Sequence, residues 1–437
     1  MKTICFYFQI HQPHRLKAYR FFNIGGDHYY YDDFANEDFL QQVAETSFVP
    51  ANRLMLDMIR ENKGKFKVAF SISGVALDQL EIYAPEVIDG FKDLVDTGCV
   101  EFLSETYGHS LVSLIDPIAF KHQVEQHSKK IQAMFGVKPR VFRNSELIFS
   151  DDIAGQVYDM GYIGMLTEGA KRTLGWKSPN YLYQSSAQPK LKLLLRNPRF
   201  SDDISTRFSN YGWNEYPLTA DKFINWIAAT PKEEKVINLF MNYEVLGNFQ
   251  KKSSGIFEFM RALPQFAAAK NITFSTPSEI FDKQKPVDYI SSMNPISWVG
   301  EEKDTSSWLG NTLQQEAFKK LYEMADRISM SQSKRLIQDW TYMQSSDHFY
   351  YMGTREALPF SPYGSPYEAF NNYMNVLSDL QERLEAEFPS SIDNEELNSL
   401  LTTIHNQADE IDRLENELEK LKKAKVKIKE TTGVDAK

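Results

Sequence analysis

The stretch Val236-Ile237-Asn238-Leu239-Phe240 sets the fold class. A strand with one wet face alternates apolar and polar residues. This one is apolar at all but one position, so it is expected to be buried on both faces, as in a barrel or a doubly wound sheet. Working outward, strand-like runs occur at 3–10, 66–72, 99–104, 140–143, 162–166, 191–195 and 235–242. Between them, 51–62, 75–97, 117–135, 150–160, 219–229 and 254–268 carry apolar residues three and four apart, several beginning after Ser, Asp or Pro. About seven βα units in succession predict an α/β protein with a parallel sheet.

Beyond Thr276-Pro277-Ser278-Glu279 the strand signal fades, and a boundary is expected near 290. Residues 311–326, 331–346 and 366–388 read as amphipathic helices, so 1–290 is expected to form the βα domain and 291–390 a helical one. In the tail, 391–437, Leu397, Leu400, Ile404, Ile411, Leu414, Leu418 and Leu421 fall on alternating steps of three and four, with Gln407 at an inner position. Two readings fit: a coiled coil joining subunits into a homo-oligomer, or one amphipathic helix folded back on its own chain.

Composition narrows the partners. A net charge of −10 on 437 residues argues against nucleic acid or an anionic membrane, which need a cationic face. Two cysteines, Cys5 and Cys99, cannot build a disulfide framework or a four-cysteine zinc site. No apolar run approaches the ~20 residues of a membrane span, and the first residues read as a strand rather than a signal peptide. A soluble cytoplasmic protein acting on a neutral partner is the expectation, with no cofactor and no metal.

In a parallel β/α barrel the reacting groups collect at the C-terminal ends of the strands. Those ends read His11-Gln12-Pro13, Ser104-Glu105-Thr106-Tyr107-Gly108-His109, Arg143-Asn144-Ser145-Glu146 and Asn242-Tyr243-Glu244. The carboxylates there, with Asp202 and Asp203 on another connection, suit acid/base or nucleophilic chemistry. Glycoside hydrolysis needs two of them, about 5–5.5 Å apart for retention or ~6.5–9.5 Å for inversion. Spacing alone does not choose the pair.

These motifs, with Phe142-Arg143-Asn144-Ser145-Glu146-Leu147-Ile148, Met241-Asn242-Tyr243-Glu244 and Thr276-Pro277-Ser278-Glu279, resemble the five ordered regions of glycoside hydrolase family 57, in its α-amylase-like branch. The resemblance continues through Arg196-Asn197-Pro198-Arg199, Ser201-Asp202-Asp203-Ile204, Trp308-Leu309-Gly310-Asn311 and Ser346-Asp347-His348, leaving only the tail outside it. It implies a seven-stranded (β/α) barrel followed by a helical domain that helps wall the site, and retaining chemistry on α-glucans. It also implies that Glu146 is the nucleophile. His11, Glu105, His109, Arg143, Asp203, Glu244, Trp308 and His348 are then expected to bind substrate.

The seventh-strand motif departs from the family. Asn242 stands where the acid/base Asp is usual, and Val245-Leu246-Gly247-Asn248 follow where Thr-Phe-Gly-Glu is the usual run. An amide donates hydrogen bonds but gives no proton to a leaving oxygen. The leading expectation is an α-glucan-binding protein with weak or absent hydrolysis. One alternative is an active hydrolase or 4-α-glucanotransferase in which Glu244, Asp202 or Asp203 gives the proton. Another is a metal-dependent polysaccharide deacetylase using His11 and His109, although no His-x-x-x-His or His-x-Asp pair supports it.

Overall fold

The computed structural model describes residues 1–354 and 360–387, and within the tail residues 400, 403–404, 406–407, 410–411, 413–414 and 418. Its strands are β1 (Lys2–Ile10), β2 (Val68–Ile72), β3 (Val100–Phe102), β4 (Val141–Arg143), β5 (Gly164–Glu168), β6 (Leu182–Ser185), β7 (Lys192–Arg196), β8 (Val236–Asn242), β9 (Leu246–Gly247), β10 (Gln250–Lys251), β11 (Ile272–Phe274) and β12 (Tyr289–Ile290). Each of the seven expected strands is present. The expected 75–97 helix is two, Gly74–Tyr83 and Pro85–Asp96, because Pro85 cannot continue the first and starts the second well.

The seven-stranded barrel is not seen as one closed ladder. β1 is central to a first sheet, pairing with β2, β8 and β11, with β3 beyond β2. The second sheet runs β12-β6-β7-β5-β4, and β6, missed in the sequence, is antiparallel to β7. At one seam, between β3 and β4, a single bridge joins Ser104 to Phe142. At the other, the Asn238 side chain donates to the Leu195 carbonyl at 2.9 Å and the Asn197 N–H donates to the Asn238 carbonyl at 2.9 Å.

Strand periodicity decides what lies between the sheets. Tyr7, Ala69, Leu103, Val141, Leu166, Leu194 and Phe240 belong to one buried apolar cluster. Side chains two residues apart share a face. The positions two residues further on are Gln9, Ser71, Glu105, Arg143, Glu168, Arg196 and Asn242. An apolar floor thus gives way, one step toward the strand ends, to a polar layer.

The helical segment packs straight onto the second sheet. Phe142, Phe149 and Leu193 share one hydrophobic cluster with Trp308, Leu321, Tyr373 and Leu377. Its helices include Thr312–Tyr322, Ala325–Met330, Lys334–Met343, Ser346–Tyr350 and Pro366–Glu387. Of the tail stripe, Leu397 and Leu421 lie outside the described residues; Leu400, Ile404, Ile411, Leu414 and Leu418 are helical and exposed. Among the described residues no helix is long and apolar enough to cross a membrane. Cys5 and Cys99 are free, buried thiols.

Candidate active site

Glu146 lies on a turn, Ser145–Leu147, that follows β4, and both Glu146 and Leu147 have positive φ, 55° and 52°. Two successive non-glycine residues in the left-handed region cost of order 1 kcal/mol or more each and persist only where surroundings hold them. Asn144 does so: its side chain accepts from the Ser145 N–H and donates to the Ile148 carbonyl, both at 3.1 Å. The result lifts the Glu146 carboxylate out of the strand direction and into a set of donors.

Three groups converge on that carboxylate. His109 Nε2 is 3.3 Å and the Ser346 hydroxyl 2.7 Å from Oε1, and the Trp298 indole N–H donates to Oε2 at 2.8 Å. Burial pushes the carboxyl up, but the His109 hydrogen bond and charge, with the Arg143 charge, outweigh it and hold the group below the usual range. His109 itself bridges two glutamates, since its Nδ1 lies 2.8 Å from Glu105 Oε2. Burial would depress this imidazole, yet the bonds to Glu105 and Glu146 raise it to about 9. Glu105, fully buried, is correspondingly lowered to about 2 by His109 and Arg143. The trio is therefore carboxylate, imidazolium, carboxylate at neutral pH.

His11 stacks on His109 with ring centroids 4.0 Å apart. Burial, then the His109 charge, lowers its affinity for a proton, so the neutral ring donates from Nε2 to Asp347 Oδ2 at 2.8 Å and accepts from Ser73 at Nδ1 at 2.7 Å. That tautomer follows from the network. Asp347 is held well below the ordinary carboxylate range despite burial, by its hydrogen bonds from His11 and Ser345 and by the nearby His109 charge. The helical segment reaches the site here: the Ser346 N–H donates to the His109 carbonyl at 3.0 Å.

Arg143 donates to the Gln9 side-chain carbonyl, and its Nη1 sits 3.8 Å from Glu105. Gln9 is the ladder partner of Asn242, which places Asn242 on the next strand, facing the same interior. The carboxamide of Asn242 makes no hydrogen bond among the described residues. Two residues on, Glu244 accepts from Gln12 and is raised by burial to about 7. A second carboxylate in the polar layer, Glu168, is likewise raised to about 7 by burial although Arg196 lies 3.5 Å away. The Arg196 guanidinium also lies 6.0 Å from the Trp298 ring centroid.

The structure brings together His11, Glu105, His109, Arg143 and Glu146, with Asn242 and Glu244 beside them. Three expected residues are placed otherwise. Trp308 is only 2% exposed within the hydrophobic cluster of the helical segment, where its large apolar surface is best removed from water; the tryptophan that meets the Glu146 carboxylate is Trp298. His348 is buried against Tyr373, lowered to about 4 by burial, and within electrostatic reach of His11 and Asp347 without bonding either. Asp203 accepts from Arg207 at 2.7 Å on the helix Pro198–Ser205. Sequence reasoning missed Gln9, Ser73, Trp298, Ser346 and Asp347. A polar residue inside the apolar run Ile4–Ile10 was a usable signal for Gln9; the others are recognised only by whom they touch.

Parallel strands ending in one polar layer, with an ionised, mostly enclosed glutamate set on a strained turn, make a candidate active site organised around carboxylates. The model of glycosyl hydrolase family 57 matches residues 5–293, and the chain belongs to that family. A protein of Methanocaldococcus jannaschii named "Putative alpha-amylase" is 40% identical over 399 residues, covering 86% of this chain and 84% of that one. Among solved structures, a branching enzyme of this family from Pyrococcus horikoshii aligns with a TM-score of 0.64 at 15% identity, over 93% of this chain and 94% of that one. A 4-alpha-glucanotransferase from Thermococcus litoralis gives 0.61 at 14% identity; 87% of this chain is covered, and it spans 60% of that protein's length. The chain is thus an amylase-like member of a family of glycosyl hydrolases and transferases.

Proposed function

We propose that the protein binds α-glucan in a cleft at the strand ends, with Glu146 as a retaining nucleophile and Asn242 in the place of the acid/base, so that glucan hydrolysis is weak or absent. On this reading the seven strands act as a split barrel whose polar layer floors the cleft. Residues 291–390 wall the cleft through Ser346, Asp347 and, further back, His348. His11, Glu105, His109 and Arg143 position the nucleophile and meet sugar hydroxyls.

The observation that carries the reading is the asymmetry of the two strand ends. Glu146 is ionised and held by three donors, whereas its counterpart on β8 is a carboxamide that neither gives nor takes a proton. The deciding assay compares maltoheptaose with an aryl α-maltooligosaccharide, whose leaving group needs little protonation. Cleavage of the aryl substrate alone is the expected outcome; equal cleavage of both would reject the reading.

A second reading is favoured by one specific feature. Glu244, raised to about 7, is protonated over much of the neutral range and sits two residues from Asn242, as a relocated proton donor would. Asp202 and Asp203 are less suited, being ion-paired to Arg196 and Arg207. For the metal-dependent deacetylase, no group of three or more His, Cys, Asp or Glu able to hold a metal occurs among the described residues. The exposed stripe Leu400, Ile404, Ile411, Leu414 and Leu418 supports a self-associating tail, which light scattering on a chain lacking residues 391–437 tests.

A further inference from the structure

We propose that the acid/base missing at Asn242 is supplied by inorganic phosphate, and that the chain cleaves α-glucan by phosphorolysis, releasing an α-glucosyl phosphate. The inference rests on Glu146 being the retaining nucleophile and names the co-reactant that such a site can use.

Charge is the first argument. A carboxylate at 242 would add an anion to the polar layer and repel an anionic acceptor. A carboxamide removes that charge and offers two N–H donors to an oxyanion. The second argument is Arg143, which is 2% exposed, keeps Nε without a hydrogen-bond partner and has at Nη1 only the 3.8 Å ion pair to Glu105. A desolvated guanidinium with unmade bonds is costly, and a bound oxyanion nearby offsets the cost. Arg143 and Asn242 flank the same residue: Gln9 accepts from the guanidinium and is Asn242's ladder partner. The imidazolium of His109, bonded to Glu105 and Glu146, offsets part of their negative charge toward such an acceptor.

The third argument is the chemistry of phosphate. It titrates near neutrality, so both its acidic and its nucleophilic form are present where the protein works, and that is the condition for efficient proton transfer. In the first step dihydrogen phosphate protonates the glycosidic oxygen while Glu146 attacks the anomeric carbon. The carbon–oxygen bond breaks, its electron pair leaves with the shortened glucan as a hydroxyl, and hydrogen phosphate remains. In the second step an oxygen of hydrogen phosphate attacks the same carbon. The ester bond to Glu146 breaks, the carboxylate is restored, and the product is the monoprotonated α-glucosyl phosphate, with retained configuration.

The test incubates the full chain with maltoheptaose and either inorganic phosphate or sulfate at matched ionic strength. Glucosyl phosphate is expected with phosphate, at ~10²-fold or more above hydrolysis in its absence, because acid/base catalysis is typically worth that much. Sulfate carries the charge without a proton to give and is expected to do nothing; stimulation by sulfate would overturn the proton-donor role. Asn242→Asp is expected to abolish phosphate dependence and favour hydrolysis, and Arg143→Met to raise the phosphate concentration for half-maximal rate. A separate arm treats the chain with α-maltosyl fluoride without phosphate and reads the mass of the intact protein. A stable adduct lost in Glu146→Gln, together with no response to phosphate, overturns this inference alone; no adduct overturns the assignment of Glu146 and this inference with it.

Discussion

Two glutamates occupy matching places in this molecule. Glu146 sits in the middle of the turn Ser145–Leu147 after β4, and Glu244 in the middle of the turn Tyr243–Val245 after β8. Glu244 is buried and Glu146 mostly enclosed, and desolvation pushes both carboxyls up. Their outcomes differ because their donors differ. Glu146 has an imidazolium, an indole and a hydroxyl; Glu244 has the neutral amide of Gln12 and a more distant Arg15 charge. Desolvation alone favours the neutral acid, and only close, charged or multiple donors reverse it. One fold position therefore yields an ionised carboxylate and the other a carboxyl near half-protonation at neutral pH.

Removing each carboxylate separates the two most strongly. Glu146→Gln is expected to cost ~10⁴-fold or more in glycosyl-enzyme formation from α-maltosyl fluoride, measured by intact mass. Glu244→Gln is expected to leave it nearly unchanged. If wild type cleaves maltoheptaose well and Glu244→Gln does not, Glu244 is the proton donor and the comparison is inverted.

Giving the β8 end a carboxylate is the next largest change. Asn242→Asp is nearly isosteric and is expected to raise maltoheptaose hydrolysis by up to the ~10²–10⁴-fold of acid/base catalysis. Val245, Leu246 and Asn248, which follow it, are expected to keep the gain below the upper figure. A rate unchanged from wild type would mean that Asn242 does not face the scissile bond.

The imidazolium is the third lever. His109→Gln removes the main charge holding Glu146 down, so the acid limb of the pH profile for glycosylation is expected to move up by about one unit or more. The same variant tests stability. Because His109 is raised to about 9 in the folded protein, its contribution is present below its unfolded value of 6.5 and lost as pH rises through about 9. Thermal melts should show that alkaline loss in wild type and its absence in His109→Gln.

The smallest effects concern single donors and Glu244's own titration. Trp298→Phe keeps the ring and deletes one neutral donor, for which ~1 kcal/mol or roughly fivefold in glycosylation is expected. Glu244, raised to about 7 from 4.5, makes the folded state bind the extra proton, so stability falls as pH rises from about 4.5 to 7. Glu244→Gln should remove that fall, gaining roughly 1–3 kcal/mol relative to wild type at pH 8 and nothing at pH 4. A pH-independent difference would show that Glu244 is ionised throughout.

Much of the fold is legible in the sequence alone. The apolar runs placed all seven parallel strands within two residues of their observed bounds, and the helix 117–135 coincides with Pro117–Phe135. Such runs are local consequences of burial, so a short window contains the information. β6 was not legible, because Leu182-Tyr183-Gln184-Ser185 is short and its direction is set by pairing with β7 rather than by its residues. The polar strand ends likewise exposed the carboxylates at Glu105, Glu146 and Glu244, while giving no sign of which would be ionised.

By itself, then, the sequence determined the βα order, the polar strand ends, the Arg143–Glu146 motif and the amide at 242, since each is written in contiguous residues. Only the tertiary structure decided that the strands divide between two sheets, that Trp298 rather than Trp308 meets Glu146, and that Asp347 and Ser346 complete the histidine network. The physical reason is range. Hydrogen bonds and desolvation act over a few ångströms between groups as far apart in the chain as Glu146 and Ser346, and no local pattern encodes which side chains folding will bring within that distance.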